Sequence, residues 1–178
     1  MTFSEIYRKA DIRRLPIDPK EIAAALGFVV MDYKAAGDFL NTDMKNLCSF
    51  CAYGFSFMDD GIFCIAINEN ACDKRRRRFT AAHEIAHCVL GHTGRKTLSS
   101  GDERAAERFA ADLLAPLVVL HKCGVRTSGE IARICGISRQ AACIRLEQLA
   151  EREKYGFSPS CDEFEVAERF GEYIRYYR

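Results

Sequence analysis

The chain has 178 residues, 48% of them hydrophobic, with 26 Lys and Arg set against 25 Asp and Glu for a net charge of +1 at pH 7. That length suits one domain with at most a small helical appendage and is ample for a substantial core. A balance so near neutrality implies no polyanion partner from totals alone. The first residues are charged from Glu5 onward and lack an apolar core of signal-peptide length. The apolar run Leu113 to Leu120 is far too short to cross a bilayer and is interrupted by Pro116. The expectation is a soluble, cytoplasmic protein. Nine cysteines is a high count, but it is odd and irregularly spaced, which argues for reduced thiols. Cys48 and Cys51 form a C-x-x-C, yet Cys64 and Cys72 do not supply a second pair at zinc-ribbon spacing.

In chain order, residues 4–12 read as a short helix. Asp18 caps a second helix with Pro19 at its first position, Ile22, Ala23 and Leu26 form its apolar stripe, and Gly27 ends it. Phe28 to Tyr33 is β-branched and aromatic and reads as a strand, residues 34–46 as a loop. Leu47 to Phe57 and Ile62 to Ile67 read as two further strands, with Asp60-Gly61 marking a hairpin turn between them. The basic run Lys74 to Arg78 opens a helix, where the macrodipole disfavours cations; Asp73 as N-cap offsets part of that cost. It is either a steering patch for an acidic partner or a solvated first turn with local pairing.

The residues from Arg78 to His92 contain His83-Glu84-Ile85-Ala86-His87, the H-E-x-x-H pattern. With no Pro and no Gly before Gly91, the stretch reads as helix. Two imidazoles four residues apart then lie one turn above the other, about 40° apart around the axis, so both can reach one metal ion. Glu84, roughly 100° from His83, cannot easily join that coordination but can reach a water in an open fourth position as general base. Zinc lowers the pKa of bound water to about 7, which suits that role. A five-residue match is weak by itself. The surrounding helix strengthens it: Ala81, Ala82, Ile85, Cys88 and Val89 lie opposite the histidines, and Phe79, Ala86 and Leu90 flank them. Polar groups buried on such a helix need partners, since an unpaired one costs about 1 to 3 kcal/mol. Cys88, about 140° from His83, is expected in the core.

A zinc hydrolase needs a third protein ligand, and His92, Asp102, Glu103, Glu107 and His121 are candidates. A third histidine at position 93 would mark one protease class, but Thr93 stands there. Glu103 opens an Ala-rich helix whose face runs through Glu103, Ala106, Glu107, Ala110 and Leu114, and the small residues permit close approach to the first helix. Glu103 is then the expected ligand, and Glu107 could accept the second ring N–H of a metal-bound histidine. The competing reading makes Glu103 part of a capping box with Ser100, although Ser99 and Asp102 offer an equal one. His92, beside Gly91, is a candidate donor to a tetrahedral intermediate or a plain loop histidine.

Arg-Phe-Thr-Ala-Ala-His-Glu-Ile-Ala-His (78–87), followed by Glu-x-x-Ala-Glu-x-Phe-Ala-Ala-x-Leu-Leu-Ala-Pro ending at Pro116, resembles the ImmA/IrrE family of zinc metallopeptidases. Ile67-Asn68 and the helical tail fit as well. The family usually has Asn or Asp where this chain has Glu107. The resemblance implies a bacterial protein, often of a mobile element, that cleaves helix-turn-helix repressors. It also implies a substrate that joins the edge strand beside the site as an added strand.

Beyond Pro116 the composition turns helical. Thr127 to Glu130 is a capping box, and residues 130–146 have the look of a helix-turn-helix, with Gly136 at the turn, Ser138 capping the next helix, and Arg139, Gln140 and Arg145 as exposed side chains able to meet DNA. Glu147, Glu151 and Glu153 dilute that field. Glu163 to Tyr177 reads as a last amphipathic helix with Phe164, Ala167, Phe170 and Ile174 on one face. The expected architecture is α+β: a small antiparallel or mixed sheet preceding the H-E-x-x-H helix, a zinc peptidase domain over 1–122, and a helix-turn-helix-like segment over 123–178. The expected activity is zinc endopeptidase, with Glu84 catalytic, His83, His87 and Glu103 on Zn2+, Glu107 behind them and a protein substrate. The rival is a DNA-binding regulator with a structural or vestigial zinc site, for which Glu84 would have no use.

Overall fold

The computed structural model, which describes residues 1–71 and 73–178, is α+β, with helices and one three-stranded mixed sheet among the described residues. Cys72, weighed above beside Cys64, lies outside the described residues. The other eight cysteines are free thiols. No helix among the described residues is long and apolar enough to cross a membrane. Contacts divide the chain into two compact units, residues 19–110 and residues 1–18 with 111–178.

In the unit spanning 19–110, α2 (Pro19–Ala25) leads through Gly27, at φ 76°, into β1 (Val29–Asp32). β1 runs parallel to β3 (Ile62–Ile67), which pairs antiparallel with β2 (Gly54–Asp59), giving the order β1-β3-β2. β3 is therefore central, and its apolar run is the most buried of the three. The hairpin is as read: Asp59 pairs with Ile62 across Asp60 and Gly61, both at positive φ, the two-residue turn whose twist matches the strands.

Residues 34–46 do not form the expected loop. They form α3 (Tyr33–Leu40) and α4 (Met44–Phe50), and the residues that look like turn formers are the caps. The Asp32 side chain accepts from Ala35 N, Asn41 closes α3 in the left-handed region, and Asp43 accepts from Asn46 N. The strand expected from Leu47 accordingly starts only at Gly54, because Leu47 serves as the buried residue of α4. Tyr33, Ala36 and Leu47 pack with Ala66 of β3, with Met31 and Phe55 against them. α5 (Lys74–Val89) packs on β2 and β3. Asp73 caps it by accepting from Arg75 N and Arg76 N, Arg77 donates to Glu69 O, and Arg76 lies 4.2 Å over the Tyr53 ring. The basic run thus has the local partners of a solvated first turn.

In the other unit, α1 (Phe3–Lys9) is tied to α10 (Cys161–Arg169). Phe3 N and Ser4 N donate to Asp162, and Arg169 donates to Tyr7 O, Ile12 O and Asp11. Buried Tyr7 donates to Leu113 O at 2.8 Å and meets Phe170 edge-on. The helix expected over 163–177 is two: α10 ends at Phe170, and α11 (Gly171–Tyr177) follows. Ala167, Phe170 and Ile174 are buried as expected; Phe164 is exposed.

α7 (Leu117–Cys123) precedes the pair α8 (Ser128–Cys135) and α9 (Arg139–Lys154), which has the expected form: capping box at Thr127 and Glu130, Gly136 at φ 63°, Ser138 as cap. Arg145 departs from expectation. It is 4% exposed and donates to Ala115 O and Asp112, on the stripe it shares with buried Ala142 and Leu149. Its guanidinium is spent on the Ala115 carbonyl, Asp112 and Gln148, so it is not extended outward to meet DNA. Arg145→Ala is expected to lower unfolding stability by about 2–4 kcal/mol, because it strands a buried carbonyl and removes charge-assisted bonds. Exposed Arg139→Ala should stay within about 0.5 kcal/mol. Urea denaturation compares the two, and equal small losses would show that Arg145 anchors nothing.

Candidate metal centre

The second half of α5, from Thr80 on, presents its polar residues on a largely buried stretch: Ala82, Ile85 and Ala86 are fully covered, while Glu84 is 7% and His87 4% exposed. The one-turn spacing brings His83 Nε2 and His87 Nε2 to 3.0 Å of each other. α6 (Ser100–Leu114) supplies the carboxylate, with Glu103 Oε2 at 3.3 Å from His83 Nε2 and 3.7 Å from His87 Nε2. These three residues offer ligand atoms all within 4.8 Å of one another. The capping question resolves in favour of the other serine: Ser99 N donates to Asp102 Oδ2 and Asp102 N to Ser99 Oγ. Glu103 is thereby left free to face the imidazoles.

Burial pushes both imidazoles toward the neutral form. His83 is lowered by burial against the pull of Glu103 and Glu107, and His87 is lowered to about 4 by burial, with His83 adding to the fall. Neutral rings keep a lone pair for a cation. Two ring nitrogens 3.0 Å apart converge on one point with a carboxylate beside them, and two imidazoles with a carboxylate suit a borderline-soft divalent metal. The residues present therefore fit the group that the motif implies.

Glu84 points elsewhere, as its position on the helix requires. Burial pushes its carboxyl up to about 7, opposed by hydrogen bonds from the Ser56 hydroxyl and backbone, while the nearby Glu103 carboxylate adds to the rise. Ser56 belongs to β2, an edge of the sheet, and its hydroxyl also meets Thr93 Oγ1 at 3.1 Å. The strand can lie this close because Gly54 has no side chain: a Cβ there would come within 2.6 Å of Thr80 Cγ2 and 3.0 Å of Ala66 O. β2 is thus the edge strand beside the carboxylate, which the sequence left undecided.

A family model described as IrrE N-terminal-like domain, Peptidase_M78, matches residues 50–147, more than half of the chain. The chain belongs to this family. Membership in Peptidase_M78 makes it a metallopeptidase relative, and the matched stretch holds β2, β3, α5 and the Glu103 helix. No curated protein matches the chain.

Against the sequence reading, His83, Glu84, His87 and Glu103 are brought together. Glu107 is not placed as expected. It lies exposed, near enough to His83 to favour that ring's charged form, but among the described residues His83 Nδ1 has no hydrogen-bond partner and His87 Nδ1 faces His92 Nδ1 at 3.1 Å. His92 takes the outer position because α5 ends in a tight reversal: with Gly91 at φ 70°, His92 N donates to His87 O and Gly91 N to Cys88 O, which folds the ring of His92 back beneath His87. The sequence signal was a Gly at the helix end followed by His five residues after a ligand. His121 lies in the other unit, where it meets Glu153 at 2.8 Å and stacks on Phe157.

Gly54→Ala is expected to cost about 1–3 kcal/mol, since β2 or α5 must shift to admit the methyl. Gly129→Ala, whose Cβ would meet nothing nearer than 3.9 Å, serves as control. Coincident urea midpoints for the two variants would show that β2 retreats from α5 freely.

Proposed function

We propose that the chain is a zinc-dependent endopeptidase in which His83, His87 and Glu103 hold the metal and Glu84 is the general base. The observation that carries this reading is the convergence of two neutral imidazoles and one carboxylate, with a second, elevated carboxyl beside them. Zn2+ held there would lower the pKa of a bound water to about 7 and polarise the scissile carbonyl. Glu84 then accepts the proton that the attacking water gives up and returns one to the departing amine. Ser56 holds the carboxylate by its hydroxyl and backbone, fixing the direction in which the proton moves.

The free side of β2 supports a reading in which the substrate docks there. An extended peptide adding to this edge by main-chain hydrogen bonds would pass beside Glu84, and such addition requires a segment that can leave its own fold. Family likeness supports a helix-turn-helix repressor as that substrate, cut in a linker or at a fraying helix end, because a helix cannot present its peptide bonds without local unfolding. The DNA-binding alternative is weakened by burial of Arg145, which leaves Arg139 and Gln140 at the start of α9 as its remaining candidates.

Glu103→Ala should lose most bound zinc by elemental analysis, because removing one of three ligands leaves an incomplete site. A variant with full metal content would sink that ligand assignment. Glu84→Gln keeps shape and hydrogen bonding, so zinc content and melting temperature should hold. Cleavage of a repressor encoded beside the gene should meanwhile fall by about two to four orders of magnitude. Undiminished cleavage would remove Glu84 as the base.

A further inference from the structure

The ring of His87 is held from behind by a second ring and then a carboxylate. His87 Nδ1 lies 3.1 Å from His92 Nδ1, and His92 Nε2 lies 3.4 Å from Asp102 Oδ1. His92 is 6% exposed, so water does not substitute for these partners. Asp102 is itself fixed: Oδ2 accepts from Ser99 N and Oγ, and Oδ1 from Arg95 Nη1, whose Nε donates to Gly91 O.

We propose that His92 and Asp102 are positioning residues that set the tautomer of His87 and aim its Nε2 lone pair at the metal. The logic is one of donors and acceptors. A carboxylate only accepts, so a neutral His92 facing Asp102 carries its proton on Nε2 and presents a bare Nδ1. That nitrogen can only accept, so His87 must donate from Nδ1, and its Nε2 is left with a lone pair directed at His83 and Glu103. The opposite tautomer would put a proton on His87 Nε2, where the metal belongs. Metal-binding histidines commonly donate their second N–H to a carboxylate, carbonyl or water. Here an imidazole is interposed, carrying the influence of Asp102 on α6 to His87 on α5. Glu103, the carboxylate that meets the metal, and Asp102, the carboxylate that orients its partner, are consecutive residues, so one first turn of α6 serves both.

This rests on the metallopeptidase reading, and the test separates the two. Zinc affinity of the full chain is measured by competition with a chromophoric chelator, with Co2+ absorption as a second readout and thermal unfolding of the metal-free protein as a check on folding. His92→Phe keeps a ring but no acceptor and should weaken zinc binding about 10–100-fold. Asp102→Asn, still able to accept from Ser99, can donate to His92 and reverse the tautomer, so it should weaken binding in the same direction even if His92→Phe fails to fold. His92→Gln, whose amide accepts and donates, should recover much of the affinity, and Lys96→Met, at an exposed position of the same loop, should leave it unchanged. A wild type that takes up no zinc would overturn the metallopeptidase reading and this proposal together. Zinc bound by the wild type and equally tightly by Asp102→Asn, or a Gln variant no better than Phe, would overturn the relay alone.

Discussion

Everything around the candidate centre follows from putting polar side chains on a buried helix. Glu84 and His87 are more than nine-tenths buried on α5, and each such group left without a partner would cost about 1 to 3 kcal/mol. The fold answers each in turn. Glu84 is met by Ser56 from β2 and His87 Nδ1 by His92 from the turn that ends α5, while Glu103 from α6 faces the two Nε2 atoms as a third ligand candidate. Three separate segments are drawn to one helix by its unmet hydrogen-bonding needs. Gly54 permits the first approach, the left-handed Gly91 the second, and the Ser99–Asp102 cap the third.

Much of this was legible where periodicity speaks for one element at a time. The four central residues could be grouped because i, i+4 spacing on α5 and the Ala-rich face of α6 are properties of single helices. β3 and its hairpin were legible for the same reason, since Asp60-Gly61 is a local signal. What failed were readings that needed to know which side of a residue faces the protein. Asn41 and Asp43 fell in the expected loop, yet they close α3 and cap α4. Arg145 read as a solvent-facing reader of DNA, although Ala142, Arg145 and Leu149 share one stripe; the charge hid a position that the apolar neighbours marked as internal.

His92 shows the limit most plainly. Its contact with His87 depends on a backbone reversal in which two hydrogen bonds and one left-handed residue cooperate, so no face of a helical wheel contains it. Glu107, by contrast, lies on the wheel where expected and is still exposed, because facing a neighbouring helix does not ensure reaching its side chains. The helix-turn-helix-like pair carries a similar lesson. α8 and α9 have the form of a reading head, but a guanidinium that a DNA reader would extend outward is used to hold the Ala115 carbonyl.

The sheet ends at β2, and that has a consequence for solubility. A strand with one unpaired side presents main-chain donors and acceptors to any extended segment that comes near, including another copy of itself. The surroundings are greasy: Phe39 and Phe50 are exposed, and Phe55 and Phe57 lie in ring contact with them. Aromatic, β-prone and low in charge from Phe55 to Met58, the strand has the makings of a seed for self-association. Asp59 and Asp60 close it with two consecutive negative charges at the hairpin tip, placed to repel a second strand sliding past in register. An edge strand without a neighbour has to be guarded against every extended chain that could pair with it.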